Sequence, residues 1–290
     1  MAAWASLSGI SVQRVLADDS SVIRAELNRT ETVDGSIMLV NLHLPAEFKG
    51  VPVLTAQFGD EKVPFYRLPS RGEGVYQAPL GVPHSFKPGP SKILVTIGEG
   101  EKAKVLELGF NVTNAGYKTE SLKVAGKHVN PRRKDMIRIE KETVEIKALY
   151  ERMTLTKFWK GPFRLPINSA IKSPFGTKRL YNGEMRNFHQ GLDLAARIGT
   201  PIHAAAPGIV AMAQNLFFTG NTVILDHGYG VFTIYAHMSR FKIKKGDTVE
   251  DNQIIGLAGM TGRATGPHLH WGAVVQKAKV NPLELTKVLE

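Results

Sequence analysis

A mainly β chain of two domains joined by one helix is predicted by three features of the sequence. Residues 1–115 hold short runs that alternate apolar and polar side chains, with turn signals between them. Residues 131–153 form the one long stretch with an apolar residue every three to four positions. From Gly161 onward short strands return, broken by glycine turns. A length of 290 residues suits two domains and is enough to bury a core in each.

The N-terminal domain, residues 1–115, is expected to be an immunoglobulin-like β-sandwich. Its strands are read at residues 22–27, 36–42, 51–58, 62–68, 92–97 and 104–110, with Asp34-Gly35 and Lys87-Pro88-Gly89-Pro90 as turns. His43 and His84 fall here with no partnering motif and read as surface residues. Residues 116–160 read as a linker carrying a helix over 131–153. Asn130 is its candidate cap, and Pro131 suits a first turn, where a missing N–H loses nothing. Met136, Ile139, Thr143, Ile146, Leu149 or Tyr150, and Met153 would be its packed stripe. The C-terminal domain, residues 161–290, reads as an antiparallel, barrel-like β structure. Within it, residues 243–256 have the look of lipoyl-carrier hairpins. Lys244 and Lys245 precede a Gly-Asp turn rather than occupy a hairpin tip, so this stretch is scaffold.

Composition narrows the chemistry. No cysteine is present, so disulfides and thiolate metal sites are excluded. A formal charge of +11 favours anionic partners. Part of it sits in residues 121–160, with eleven Lys/Arg against five Asp/Glu, which reads first as a solvated helix face. Neither an aromatic–basic RNA signature nor a DNA-reading motif accompanies the charge, so nucleic acid is not the expected partner. No apolar run approaches a membrane span, and residues 1–5 lack the basic start and apolar core of a leader.

The chemistry-bearing residues form two short motifs about 75 residues apart. His189 and Asp193 lie in His189-Gln190-Gly191-Leu192-Asp193, and His268 and His270 in His268-Leu269-His270. Two imidazoles and one carboxylate make a three-ligand zinc site with an open fourth position, the catalytic pattern, and leave one histidine for proton transfer. Alternate residues of a strand share a face, so His268 and His270 point the same way. Gly191 argues that His189 and Asp193 also lie on extended chain rather than on a helix. Two such strands side by side would bring both pairs to one point. His237, at the end of the alternating run Val231-Phe232-Thr233-Ile234-Tyr235, is a third contributor. No His-Glu-x-x-His helix occurs.

This constellation resembles the M23 family of zinc metallopeptidases, the LytM or lysostaphin type. That family carries His-x-x-x-Asp, a Tyr-x-His segment and His-x-His in this order, over roughly residues 161–285 of this chain. The glycine context agrees at Ser173-Pro174-Phe175-Gly176, Gly220-Asn221-Thr222-Val223, Asp226-His227-Gly228 and Gly259-Met260-Thr261-Gly262. The resemblance implies one Zn²⁺ per chain on His189, Asp193 and His270, with His237 and His268 as the proton-handling pair. His268 is read as the general base and His237 as transition-state stabiliser or acid, a split that the residues leave open. The implied activity is hydrolysis of peptide cross-links in bacterial peptidoglycan, with a D-alanyl–diaminopimelate bond preferred to a glycine bridge. The alternative is a non-catalytic wall-binding protein or an activator of another hydrolase. Such an activity places the chain in the cell envelope or periplasm, its leader absent from this sequence. Arg179 and Arg186 are candidates to meet a substrate carboxylate. Tyr235 could reach the oxyanion or serve the core. Phe217 and Phe218 read as loop anchors, with groove lining the other reading. His203 reads as surface, and His227 as a turn residue.

Overall fold

The computed structural model describes residues 12–14, 23–45, 48, 53–123 and 131–289. Residues 1–5, His128 and the expected cap Asn130 lie outside them, and the side chain of Arg186 lies outside the description as well. The chain divides into two compact units, residues 1–115 and 116–290.

The first unit holds β1 (Val12–Arg14), β2 (Arg24–Leu27), β3 (Glu31–Val33), β4 (Ile37–His43), β5 (Leu54–Phe58), β6 (Glu61–Pro64), β7 (Tyr66–Arg67), β8 (Val75–Gly81), β9 (Gly89–Ile97) and β10 (Lys104–Thr113). They form two five-stranded sheets, ordered β1-β2-β4-β8-β7 and β3-β10-β9-β5-β6. Alternation explains the core between them. Leu54, Ala56 and Phe58 of β5 and Ile93, Val95 and Ile97 of β9 point inward from one sheet, and Val40, Leu42, Ala78 and Leu80 meet them from the other.

The second unit opens with β11 (Thr119–Leu122) and the helix α1 (Arg133–Tyr150). β12 (Ile171–Ser173), β13 (Lys178–Tyr181), β14 (Glu184–Phe188), β15 (Gly191–Ala195), β16 (Pro201–His203), β17 (Gly208–Leu216) and β18 (Gly220–Asp226) follow. Then come β19 (Val231–Met238), β20 (Arg240–Phe241), β21 (Thr248–Val249), β22 (Ile254–Leu257), β23 (His268–Val275) and β24 (Ala278–Val280). The main sheet runs β12-β15-β23-β19-β18-β17-β21, with β24 also on β23. β11, β13 and β14 form a second sheet, and β16, β22 and β20 a third.

The two faces of the main sheet do different work. Leu192, Leu194, Leu269, Trp271, Thr233 and Tyr235 fill one face and are almost wholly buried. The other face carries His268 and His270 at one end of β23 and, by the same alternation, Val274 at the other. There Val274 joins Phe232, Ile224, Met212 and Leu216 under Leu149, Ile146 and Tyr150 of α1. The helix therefore lies on the same face as the two histidines.

α1 is shorter than the sequence periodicity suggests, and only its last two turns pack. Met136 and Thr143 of the expected stripe are exposed, whereas Leu149 is buried. No side chain caps its start; Arg132 stands at that position. Among the described residues no helix is long and apolar enough to cross a membrane.

Candidate metal centre

β15 and β23 run antiparallel with Asp193 directly opposite His270, Gly191 opposite Gly272 and Ala195 opposite His268. That register places the carboxylate and the imidazole on one face, side by side. His189 enters from the corner where the chain leaves β14 for β15. Its backbone N–H bonds Thr177 O, and its C=O accepts from Gly176 N. Gly191 has a steric reason. A Cβ there would come within 2.8 Å of the His270 ring and 2.5 Å of Trp271 O.

Three atoms meet at this point. His189 Nε2 is 2.9 Å from Asp193 Oδ1 and 3.0 Å from His270 Nδ1, and His270 Nδ1 is 2.9 Å from Asp193 Oδ1. The nearly equilateral triangle is the group in the described chain that could hold a metal ion. Its chemistry fits a cation. His189 Nδ1 donates to the Pro174 carbonyl at 2.9 Å, so the neutral ring turns a lone pair inward from Nε2. That lone pair, the carboxylate oxygen and a second imidazole nitrogen repel one another unless positive charge sits among them.

Positive charge on the imidazoles has the same effect on the carboxylate. Burial pushes the Asp193 carboxyl up, but the His189 and His270 imidazoles outweigh it and hold the group far below the usual carboxylate range. Burial pushes His270 down to about 4, against the pull of Asp193.

The other oxygen of Asp193 is held by a residue with a different expected role. Arg179 Nη2 donates to Asp193 Oδ2 at 2.7 Å and to Ser173 Oγ at 3.0 Å, and its Nε donates to Glu120 Oε1 at 3.1 Å. Ser173 Oγ in turn donates to Glu120 Oε2 at 3.0 Å. Arg179 therefore holds the Asp193 carboxylate. Glu120 arrives on β11, which pairs in parallel with β13. No motif marks Glu120 in the sequence. Ser173 and Pro174 were visible only as context for the glycine turn, yet they supply an anchor for Arg179 and the acceptor for His189.

His237 reaches the same place irregularly. Strand alternation would turn it toward Thr233 and Tyr235, to the opposite face. Its φ is +61°, uncommon for a residue with a side chain. The pairing slips there too: Val223 opposes Tyr235, but Asn221 opposes Met238, so β19 carries one extra residue. The bulge swings the imidazole to the site face, 4.8 Å from the His268 ring and 5.9 Å from the His270 ring between centroids. His237 Nδ1 donates to Thr261 O at 2.7 Å, and His268 Nδ1 to Gly266 O at 2.8 Å. Both neutral rings thus offer a bare Nε2. His268 Nε2 lies 3.6 Å from Asp193 Oδ1. Burial, with His270 and His268 nearby, pushes His237 down to about 3.

Thr261 is brought to His237 by two loops in close contact. At Gly262, with φ +75°, a Cβ would stand 2.3 Å from Gly220 N and 2.6 Å from Phe218 O, so only glycine lets the loops touch. Arg263 packs beside them, its guanidinium 4.5 Å from the Tyr181 ring and 4.6 Å from the Phe218 ring. Phe218 lines the cleft and Phe217 stands edge-on to it at 5.0 Å.

Three other residues lie away from the chemistry. The Tyr235 hydroxyl is buried on the opposite face, where it accepts from Ala205 N at 2.8 Å. His203 Nδ1 donates to Asn252 O at 2.8 Å. His227 is fully buried between Pro207 O at 2.6 Å and Thr233 Oγ1 at 2.7 Å, a core histidine rather than a turn residue alone.

His189, Asp193, His270, His237 and His268 line a cleft of about 1080 Å³, walled on one side by Ile139, Thr143, Ile146 and Tyr150 of α1. Residues 187–282 match the family model of Peptidase family M23. Over 124 residues the chain is 41% identical to the Peptidoglycan DD-endopeptidase ShyA of Vibrio cholerae, a match covering 42% of this chain and 29% of that protein. Over 128 residues it is 38% identical to the DD-carboxypeptidase/endopeptidase Mpg of Neisseria meningitidis, covering 43% of this chain and 30% of that one. The match thus spans under a third of the length of these curated relatives. A crystal structure described as a putative peptidase M23 from Pseudomonas aeruginosa superposes with a TM-score of 0.68 at 31% identity, covering 90% of this chain and 96% of that one.

Proposed function

The chain belongs to peptidase family M23, and we propose that it is a zinc-dependent endopeptidase hydrolysing the peptide cross-links of bacterial peptidoglycan. The observation that carries this reading is the ligand triangle of His189, Asp193 and His270, with two bare imidazole nitrogens beside it. The relatives named as DD-endopeptidases support the substrate class and favour a D-alanyl–diaminopimelate bond. That substrate places the protein in the cell envelope. The N-terminal unit is read as an immunoglobulin-like accessory domain.

The roles follow from donors and acceptors. His189 Nε2, Asp193 Oδ1 and His270 Nδ1 would hold the metal. A zinc ion bound there supplies a Lewis acid that polarises the scissile carbonyl and makes a water acidic enough to attack near neutral pH. His268 accepts the proton of the attacking water at Nε2, held in the right tautomer by the Gly266 carbonyl. His237 acts after it. The proton that His268 takes passes to His237 Nε2, whose short-lived imidazolium steadies the oxyanion and then gives that proton to the leaving amine. Arg179 keeps Asp193 turned so that one oxygen faces the metal.

The test is release of soluble muropeptides from purified peptidoglycan by the wild type and by His270→Ala, each with its zinc content measured. About one zinc per wild-type chain, and loss of both zinc and cleavage in the variant, are expected. Zinc without cleavage in the wild type would sink the enzyme reading in favour of a wall-binding protein, and the product masses name the bond.

A further inference from the structure

The cleft continues past the ligands along β23 toward the C-terminal end of α1. Between His270 and Val274 its floor is low, because Gly272 and its cross-strand partner Gly191 stand there, with Ile234 on the other side of Gly272. Beyond them Lys279 of β24 lies opposite Val274, and so on the site face. It lines the cleft together with Gln190, Lys277, Tyr150 and Glu151.

Two of the other cations of the cleft are paired with carboxylates. Arg179 is paired with Asp193 and Glu120, and Lys277 with Glu151 at 2.8 Å. Lys279 Nζ donates to the neutral amide oxygen of Gln190, and among the described residues no carboxylate lies within ion-pair distance of it. Burial pushes its ammonium down to about 8, which still leaves it charged at neutral pH. A sheltered ammonium facing an amide has most of its charge uncompensated. A carboxylate entering the cleft would complete a charge-assisted hydrogen bond there.

The position suits a peptide. Four residues of β23 separate His270 from Val274, about 13 Å at strand spacing. A peptide lying extended with its scissile bond at the ligand triangle places a group three to four residues away over Lys279. Peptidoglycan stem peptides carry free carboxylates on diaminopimelate and on terminal D-alanine. We propose that Lys279 is a specificity residue of the cleft, binding a carboxylate of the peptide several residues from the cleaved bond. The inference rests on the peptidase reading for the direction in which the peptide lies.

Equilibrium binding separates this inference from that reading, because it needs no turnover. The full zinc-loaded chain is titrated by calorimetry with an uncrosslinked stem tetrapeptide and with its carboxamide analogue. The wild type should prefer the free carboxylate by about tenfold or more, as a charged hydrogen bond allows. Lys279→Met should abolish the preference and Lys279→Arg should keep it, with zinc content unchanged in both. Equal affinities in the wild type, no binding of the tetrapeptide, or an undiminished preference in folded Lys279→Met overturns the proposal. Should the methionine variant not fold, Lys279→Gln supplies the charge-free arm. Absence of cleavage by the zinc-loaded wild type, with the carboxylate preference intact, would instead sink the peptidase reading alone.

Discussion

Asp193 and His270 face each other across an unbroken antiparallel ladder, whereas His237 reaches the same few ångströms from a break in the β18–β19 ladder. The first pair needs only correct register and a strand twist that keeps both side chains on one face. The second needs a left-handed backbone at one residue, an extra residue in β19 and a carbonyl from a loop 24 residues away. Placement of the Asp193–His270 pair is thus robust to loop changes, and placement of His237 is not. A regular sheet makes the candidate metal site, and a strained bulge sets the imidazole beside it.

The largest expected effect falls on the ladder. Asp193→Ala removes the charged member of the triangle and leaves Arg179 with Glu120 alone, so zinc content and cleavage should both drop to background, as metal analysis beside muropeptide release would show. Retained zinc in that variant would break the comparison. On the irregular side, His237→Ala should keep its zinc and lose about 10²–10⁴-fold in kcat. Loss of zinc there would mean that the bulge holds the metal site as well.

Next comes Arg179→Met, which frees Asp193 to rotate. Zinc affinity should fall about 10–100-fold, measured by chelator competition, with kcat at saturating zinc changed far less. Unchanged affinity would mean that the β15–β23 register alone orients the carboxylate.

The smallest effect lies on the opposite face of the sheet, at His227. Burial holds this imidazole down to about 4, against an ordinary value of 6.5, with the Pro207 carbonyl pulling weakly the other way. Its folded-state value is depressed, so the unfolded chain takes up a proton first. Stability is therefore full above about pH 6.5 and falls as pH drops toward 4, by at most ~1.4 kcal/mol per pH unit. Urea unfolding at pH 7.5 and pH 5 should show a smaller difference for His227→Asn than for the wild type. An equal difference would assign the slope to the site histidines.

Much of the candidate cluster was legible without a structure because it depends on local periods. His-x-His places two imidazoles on one face of any strand, and Gly191 argues against a helix between His189 and Asp193. The partners of those side chains were not legible. Arg179 read as a substrate contact because a cation near a peptidase cleft invites that reading. Its true partner depends on β11 pairing with β13, which brings Glu120 from 59 residues away. Tyr235 and His227 likewise carried no mark of the buried hydrogen-bond chain they share with Thr233 and Ala205.

The helix shows the same division. Periodicity located it, but treated its apolar positions alike from Met136 to Met153. Burial reaches only Leu149 and its neighbours, because apolar packing is confined to the C-terminal end, whereas Arg138 and Glu142 meet Asn215 and Phe217 through hydrogen bonds. By itself the sequence determined which residues could gather as a His-Asp-His cluster, and that short strands would present them, since spacing and strand alternation act over a few residues. Tertiary structure alone decided that His237 turns to the metal side, that carbonyls of Pro174, Thr261 and Gly266 fix the histidine tautomers, and that α1 walls the cleft. Each of these rests on a single dihedral angle or on a contact between distant segments, and no local pattern of residue types encodes either.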